Sequence, residues 1–373
     1  MSQNLFSPFK FGRLTAPHRI AMAPMTRTRA TAEGVPKPLV ADYYAQRASA
    51  ALIVTECTQI SDQAHGIHCA PGIHTPAQVT AWERVVAAVH RQGGRIYLQL
   101  WHCGRTGHSS IRGGVLPVAP SAIAAAGKAK TPAGLMDYET PRALDLDEIP
   151  AIVEDFRRGA QNALEAGFDG VELHGAFGYL VDEFLQDASN RRTDRYGGSP
   201  ANRCRFAIEV MQALAGVWGA DRVGMRISPS TRVNGMDDGD PHATFGHLVR
   251  ELDGMKVGYL HVMEPNDADL KTGTVKIRET TRTFRPLFGQ AIITNVGYTR
   301  DSGEVAVAAG VADLVAYGKP FIANPDLPLR FERGAALNPP DFATFYGSDE
   351  RGYTDYPFLD YSHGASPAKT AGA

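Results

Sequence analysis

The segment His174-Gly175-Ala176-Phe177-Gly178-Tyr179 follows directly on an apolar run and presents an imidazole and a phenol from one short stretch. An imidazole can donate to a substrate oxygen and a phenol can deliver a proton, which is general-acid work on a polarised bond. A single histidine at a strand end also reads as structural. Gln99 and Trp101 lie two apart in one extended run, as do Glu172 and His174, and Arg226 and Ser228, so each pair shares one side of its strand. Gln99 and Arg226 turned inward need partners, because a buried polar group is costly unless hydrogen-bonded. Either an internal polar network or a planar ligand with amide edges would satisfy them. Asn295-Val296-Gly297 and Gly318-Lys319 offer glycine backbone that can approach an anion closely, with a positive charge beside it. Taken alone, they also read as glycine turns and a surface lysine.

These residues sit at the ends of short apolar runs. The runs are Arg19–Met25, Ala51–Thr58, Arg95–Trp101, Phe168–His174, Val223–Ser228, Val257–Glu264, Gln290–Asn295 and Val311–Gly318. Each reads as a strand covered on both faces. Helical patterns alternate with them. The clearest spans Asp147 to Ala166, where Ile149, Ile152, Val153, Phe156, Ala160, Ala163 and Leu164 form one stripe. Asp147 is the expected N-cap, Pro150 lies in the first turn, and Gly167 ends the helix. Similar stripes run from Pro76 to Val89 and from Ala201 to Val217. Eight such units predict a closed (β/α)8 TIM barrel, an α/β fold whose active site lies at the C-terminal strand ends. No G-x-G-x-x-G follows the first strand, which argues against a dinucleotide domain. The stretch Cys103–Asp145 is a long excursion after strand three, of a length usually functional. One barrel over residues 1–361 is expected, with a disordered tail over 362–373.

Composition narrows the function. In 373 residues, 38 Lys and Arg nearly balance 40 Asp and Glu, so no basic face for nucleic acid or an anionic membrane is expected. No apolar run is long enough to span a bilayer, and the start lacks a signal-peptide core. The four cysteines form no metal or cluster spacing, and the expected setting is a reduced cytoplasm. A glycosidase would need two facing carboxylates. Glu56, Glu172 and Glu264 end strands, but that reading leaves Gln99, Arg226 and the glycine loops without a role. A metal hydrolase fares no better, since His65 and His68 fall in a loop.

The stretches RIAMAPMTRTRA, QLWHCGR, GVELHGAFGYLVDEFLQDASNRRTDRYGGS, GKPFIANPDLPLR and GYTDYPFL carry a resemblance to the old yellow enzymes, FMN-dependent ene-reductases. It runs from Leu5 to Leu359, with an N-terminal hairpin ahead of the barrel. The resemblance implies FMN as cofactor and NAD(P)H as reductant, in ping-pong turnover. It implies that Thr26 bonds the flavin C4 carbonyl, Gln99 the pyrimidine edge and Arg226 the N1/C2 region. Pro24, Met25 and Cys57 would line the ring, and Asn295, Val296, Gly297, Gly318 and Lys319 the phosphate side. His174 would hold the oxygen of an enone, enal, maleimide or nitroalkene, and Tyr179 would protonate its Cα. Trp101, Ile67, Phe177 and Tyr346 would shape the substrate pocket. The partner is then a small activated alkene, with the chain a monomer or homodimer. A branch with an iron–sulfur cluster is excluded by the missing cysteines.

Three residues depart from the family pattern. Phe177 stands where the family has Asn or a second His, which removes one of two oxygen donors, at a cost of about 3 kcal/mol or 10²-fold in rate. An alternative therefore stays open: a flavin-bearing NAD(P)H oxidase-like protein with little ene-reductase activity. Lys319 replaces an arginine, trading a bidentate grip on phosphate for a point charge. Cys57 replaces a small Gly or Ala and reads as a buried small hydrophobe.

Overall fold

The computed structural model describes residues 4–360. An antiparallel hairpin opens the chain, β1 (Phe9–Phe11) with β2 (Leu14–Ala16). Barrel strands follow as β3 (Ile20–Met22), β4 (Ile53–Val54) with its continuation β5 (Thr58–Gln59), and β6 (Ile96–Trp101). The excursion then holds β7 (Val118–Ala119), the hairpin β8 (Lys128–Thr131) with β9 (Gly134–Asp137), and β10 (Arg142–Ala143). The barrel resumes with β11 (Gly170–Gly175), β12 (Val223–Ile227), β13 (Tyr259–Met263), β14 (Ala291–Asn295) and β15 (Leu314–Tyr317). Every neighbouring barrel pair is parallel, and β6 pairs with β11 to close the ring. The barrel is the (β/α)8 fold that eight alternating units require.

Each expected run overlaps its strand; most strands are shorter than their runs, while β11 continues one residue past His174 to Gly175 and β5 one past Thr58 to Gln59. Helices lie where the stripes predict them: Pro76–Arg91, Ile149–Glu165 and Pro200–Trp218. Asp147 is not the cap of the second of these. Glu148 holds that place in helical conformation, and its carboxylate turns back to accept from Asp145 N at 2.7 Å and from Arg142. Gly167, at φ +84°, ends the helix as expected. The tail expected to be disordered lies outside the described residues.

The barrel interior is filled in steps. At its floor the Tyr97 and Tyr259 rings pack with Phe11 of the hairpin, whose ring meets Tyr259 edge-on at 6.3 Å. Those rings fit because Gly170 and Gly224 stand on the strands between them. A Cβ at Gly170 would come within 2.3 Å of Tyr97, and one at Gly224 within 2.2 Å of Tyr259. One pleat higher the inward positions turn polar, at Gln99, Glu172 and His261, and one pleat higher again come Trp101 and His174.

Candidate active site

Glu172 is fully buried and accepts three hydrogen bonds: from Gln99 Nε2 at 2.7 Å, Tyr259 OH at 3.0 Å and His261 Nδ1 at 2.9 Å. Burial pulls its carboxyl upward, but His261, Arg226 and Gln99 together hold it below the usual range. The result is a buried carboxylate facing the Arg226 guanidinium, itself brought down to about 10 by burial and so cationic at neutral pH. Part of the demand of Gln99 is thus met inside the protein, while Arg226 Nε has no partner among the described residues.

Above this layer stands a row of rings. Trp101 meets Tyr179 edge-on at 5.1 Å, and Tyr179 meets His174 edge-on at 4.9 Å. Phe177 follows at 6.2 Å from His174, with the Arg226 guanidinium 5.3 Å from its centroid. His174 is held well below its ordinary pKa by burial, then by Arg226 and His261, so its ring is neutral. Its Nδ1 is buried without a partner. Burial lifts the Tyr179 phenol well above its usual range, which keeps the proton on, and that hydroxyl donates to nothing among the described residues. A cavity of about 510 Å³ opens outward from Tyr179 past Ile67 to Tyr346 at the rim. Tyr346 is 52% exposed, so it borders the entrance and not the inner pocket.

The loop carrying Phe177 is fixed from several sides. Phe177 adopts φ +61°, a left-handed conformation rare for a bulky side chain. Its N–H donates to Ser228 Oγ at 2.9 Å, and Asn234 Nδ2 donates to its carbonyl at 2.8 Å. Asp182, whose carboxyl burial raises to about 7, accepts from Gly178 N at 2.8 Å. On the opposite wall Thr26 Oγ1 lies 3.0 Å from Cys57 Sγ. Burial pushes the Cys57 thiol up to about 12, so it stays an S–H that can donate to Thr26. Pro24 is buried beside them and Met25 half-buried. Past β14, Val296 and Gly297 turn at φ +80° and +78°. The N–H groups of Val296, Gly297 and Gly318 make no hydrogen bond within the described residues, and the buried Asn295 Oδ1 has no partner there. Lys319 is exposed, its Nζ 5.5 Å from the Phe342 ring centroid.

A model of the NADH:flavin oxidoreductase / NADH oxidase family matches residues 4–338. 12-Oxophytodienoate reductase 1 of Oryza sativa subsp. japonica is 47% identical over 362 residues, which is 95% of this chain and 93% of that one. The chain belongs to the old yellow enzyme family. Morphinone reductase in complex with tetrahydroNAD superposes with a TM-score of 0.91 at 47% identity, over 96% of this chain and 99% of its own. The old yellow enzyme homologue from Zymomonas mobilis gives 0.92 at 42% identity, over 95% and 100%. As in the rest of the old yellow enzyme family, the chain is an oxidoreductase whose cofactor is FMN and whose reductant is a nicotinamide nucleotide.

The residues present fit that group. Arg226 Nε, Asn295 Oδ1 and three backbone N–H groups are polar atoms at the barrel mouth that the described residues leave unpaired. A planar ring with amide edges and a phosphate tail has the complementary atoms. Sequence reasoning gave no role to Tyr259 and His261, which orient Glu172 beneath Gln99 and Arg226. The signal was available, since both share the inward pleat of β13. No group of His, Cys, Asp or Glu suited to a metal occurs among the described residues, and no helix there is long and apolar enough to cross a membrane.

Proposed function

We propose that this chain reduces C=C bonds conjugated to an electron-withdrawing group, with Tyr179 as proton donor and His174 as the oxygen anchor. The observation that carries this is the Tyr179 phenol, protonated, without an internal partner, edge-on to the unpaired His174 ring and open to the cavity. FMN, when bound, supplies the hydride, taken from NAD(P)H and passed to the β-carbon of the alkene. Thr26, Gln99, Arg226 and the backbone at Pro24, Met25 and Cys57 would hold its ring. Asn295, Val296, Gly297, Gly318 and Lys319 would hold its phosphate.

The chain's own residues do the rest. Neutral His174 donates to the carbonyl or nitro oxygen, where negative charge accumulates in the transition state. Tyr179 then gives its proton to Cα. Trp101, Ile67 and Phe177 wall the pocket against water, with Tyr346 at its entrance. Phe177 cannot donate, and its ring shares the space between His174 and Arg226, which supports a second reading: a flavin-bearing NAD(P)H oxidase with little alkene turnover.

One experiment separates the two. The protein is loaded with FMN, reduced anaerobically and mixed with 2-cyclohexenone or a nitroalkene while the flavin's visible band is followed. Rapid reoxidation by both is expected if His174 and Tyr179 suffice. Reoxidation by the nitroalkene alone restricts the enzyme to strongly activated alkenes. Reoxidation by oxygen and by neither alkene supports the oxidase reading and overturns the first.

A further inference from the structure

The wall of the cavity beyond Tyr179 has more donors than its own acceptors use. Its lining includes Lys128 and Lys130 of the β8–β9 hairpin, together with His68, and contains no Asp or Glu among the described residues. The phenols of Tyr138, Tyr179 and Tyr346 all border it, and none of the three hydroxyls makes a hydrogen bond within the described residues. Lys130 is held toward the rim, its Nζ 4.2 Å from the Tyr346 ring centroid. Lys128 pairs across the hairpin with Asp137 at 2.9 Å, but the Asp137 side chain is 84% exposed to solvent. A pair so open is weak and leaves the ammonium available to a second anion. The Lys37 ammonium donates to Ser348 O at 3.2 Å behind the same rim, which places a third cation near it.

A hairpin that carries cations over a mouth lined with free phenols is complementary to a group that only accepts hydrogen bonds and bears negative charge. We propose that the outer cavity is an anion subsite, formed by Lys128, Lys130, Tyr138 and Tyr346. It would take a carboxylate or phosphate on a molecule whose reacting end lies at Tyr179 and His174. This rests on the alkene-reductase reading and gives it a substrate class, activated alkenes with an anionic tail. A nicotinamide coenzyme could present the same chemistry through a phosphate.

The test uses the full chain loaded with FMN and a set of cyclohexenones carrying an alkyl carboxylate tail of graded length, each paired with its methyl ester. At low salt the acid of best length is expected to show a KM about fivefold below that of its ester, a size typical of one or two partly exposed charge contacts. That advantage should shrink as salt is raised. Lys130→Ala should raise KM for the acid several-fold more than for the ester, and the double change Lys128→Ala with Lys130→Ala should abolish the difference. A parallel arm compares NADPH with NADH. If Lys130→Ala erodes a preference for NADPH and leaves the acid-to-ester ratio alone, the anion is the coenzyme's extra phosphate. Equal KM for acid and ester in the wild type, with no effect of either change on the coenzyme ratio, overturns the subsite. If neither cyclohexenone is turned over, the alkene-reductase reading fails separately. The acid-to-ester ratio of Kd values, read as perturbation of the flavin's visible band, then decides the subsite.

Discussion

Phe177 joins a chemical loss to a conformational one. Its φ of +61° suits Asn, whose short polar side chain tolerates the left-handed region, better than a bulky aromatic, for which that region costs about 1–2 kcal/mol. The turn is nevertheless held in place, because Ser228 and Asn234 bind its backbone from both sides. Replacing Phe177 by Asn should therefore leave the backbone where it is and add a donor beside His174. The expected result is a rise in kcat/KM for 2-cyclohexenone of between tenfold and about 10²-fold. Stability should stay within about 1 kcal/mol, since relief of the backbone offsets the lost ring contacts with His174 and Arg226. Steady-state kinetics under anaerobic conditions and a urea titration read both effects. An unchanged kcat/KM would mean the second donor position does not address the substrate oxygen. Tyr179 allows a sharper division. Tyr179→Phe keeps the ring beside Trp101 and His174 but removes the proton, so alkene reduction should fall about 10²-fold or more while flavin reduction by NAD(P)H proceeds as before. Equal slowing of both half-reactions in stopped-flow would count against a proton-donor role.

At the scale of elements, the barrel strands were legible because each is covered on both faces and so reads as an unbroken apolar run between helical stripes. The inward chemistry was legible too, through the two-residue period that puts Gln99 with Trp101 and Glu172 with His174. What could not be read was contact between distant segments. Arg27, Arg29 and Arg47 are buried, and between them they tie the region after β3 to a segment some 300 residues later. Arg29 donates to Thr344 O, Phe345 O and Arg351 O, each at 3.0 Å, and Arg27 donates to Phe345 O at 2.9 Å and Gly352 O at 2.7 Å. Guanidinium-to-carbonyl bonds depend on no side chain at the receiving end, so no sequence pattern marks them. That strap carries Tyr346 to the cavity rim. Arg29→Met keeps the aliphatic stem but leaves buried carbonyls without donors, at about 1–3 kcal/mol each. The chain should lose at least about 3 kcal/mol in denaturant titration, and amide exchange should speed up first in residues 342–353. If exchange there stays as slow as in the barrel strands, the arginines are not what fastens the strap.

For the molecule as a whole, the same junction makes stability depend on pH. Glu56, between β4 and its continuation β5, is fully buried, and burial lifts its carboxyl from 4.5 to about 7 against the pull of the Arg27 and Thr28 backbone N–H groups and of the Arg27 and Arg29 charges. The folded chain therefore holds this proton between about pH 4.5 and 7, where the unfolded chain has released it. With more protons bound when folded, stability from this group is greatest in acid and declines as pH rises through about 7, by up to about 3 kcal/mol. Other titrating groups contribute their own slopes, so the contribution of Glu56 must be read as a difference. Both backbone N–H groups donate to one oxygen, Oε2, at 2.9 and 3.3 Å, and the amide oxygen of Glu56→Gln can accept both. The variant should thus match the wild type closely near pH 5 and exceed it by about 1–3 kcal/mol near pH 8, in urea titrations of the FMN-loaded protein at each pH. Stability curves that run parallel across that range would mean Glu56 is already ionised in the folded barrel. The arginines beside it would then outweigh the cost of burying its charge.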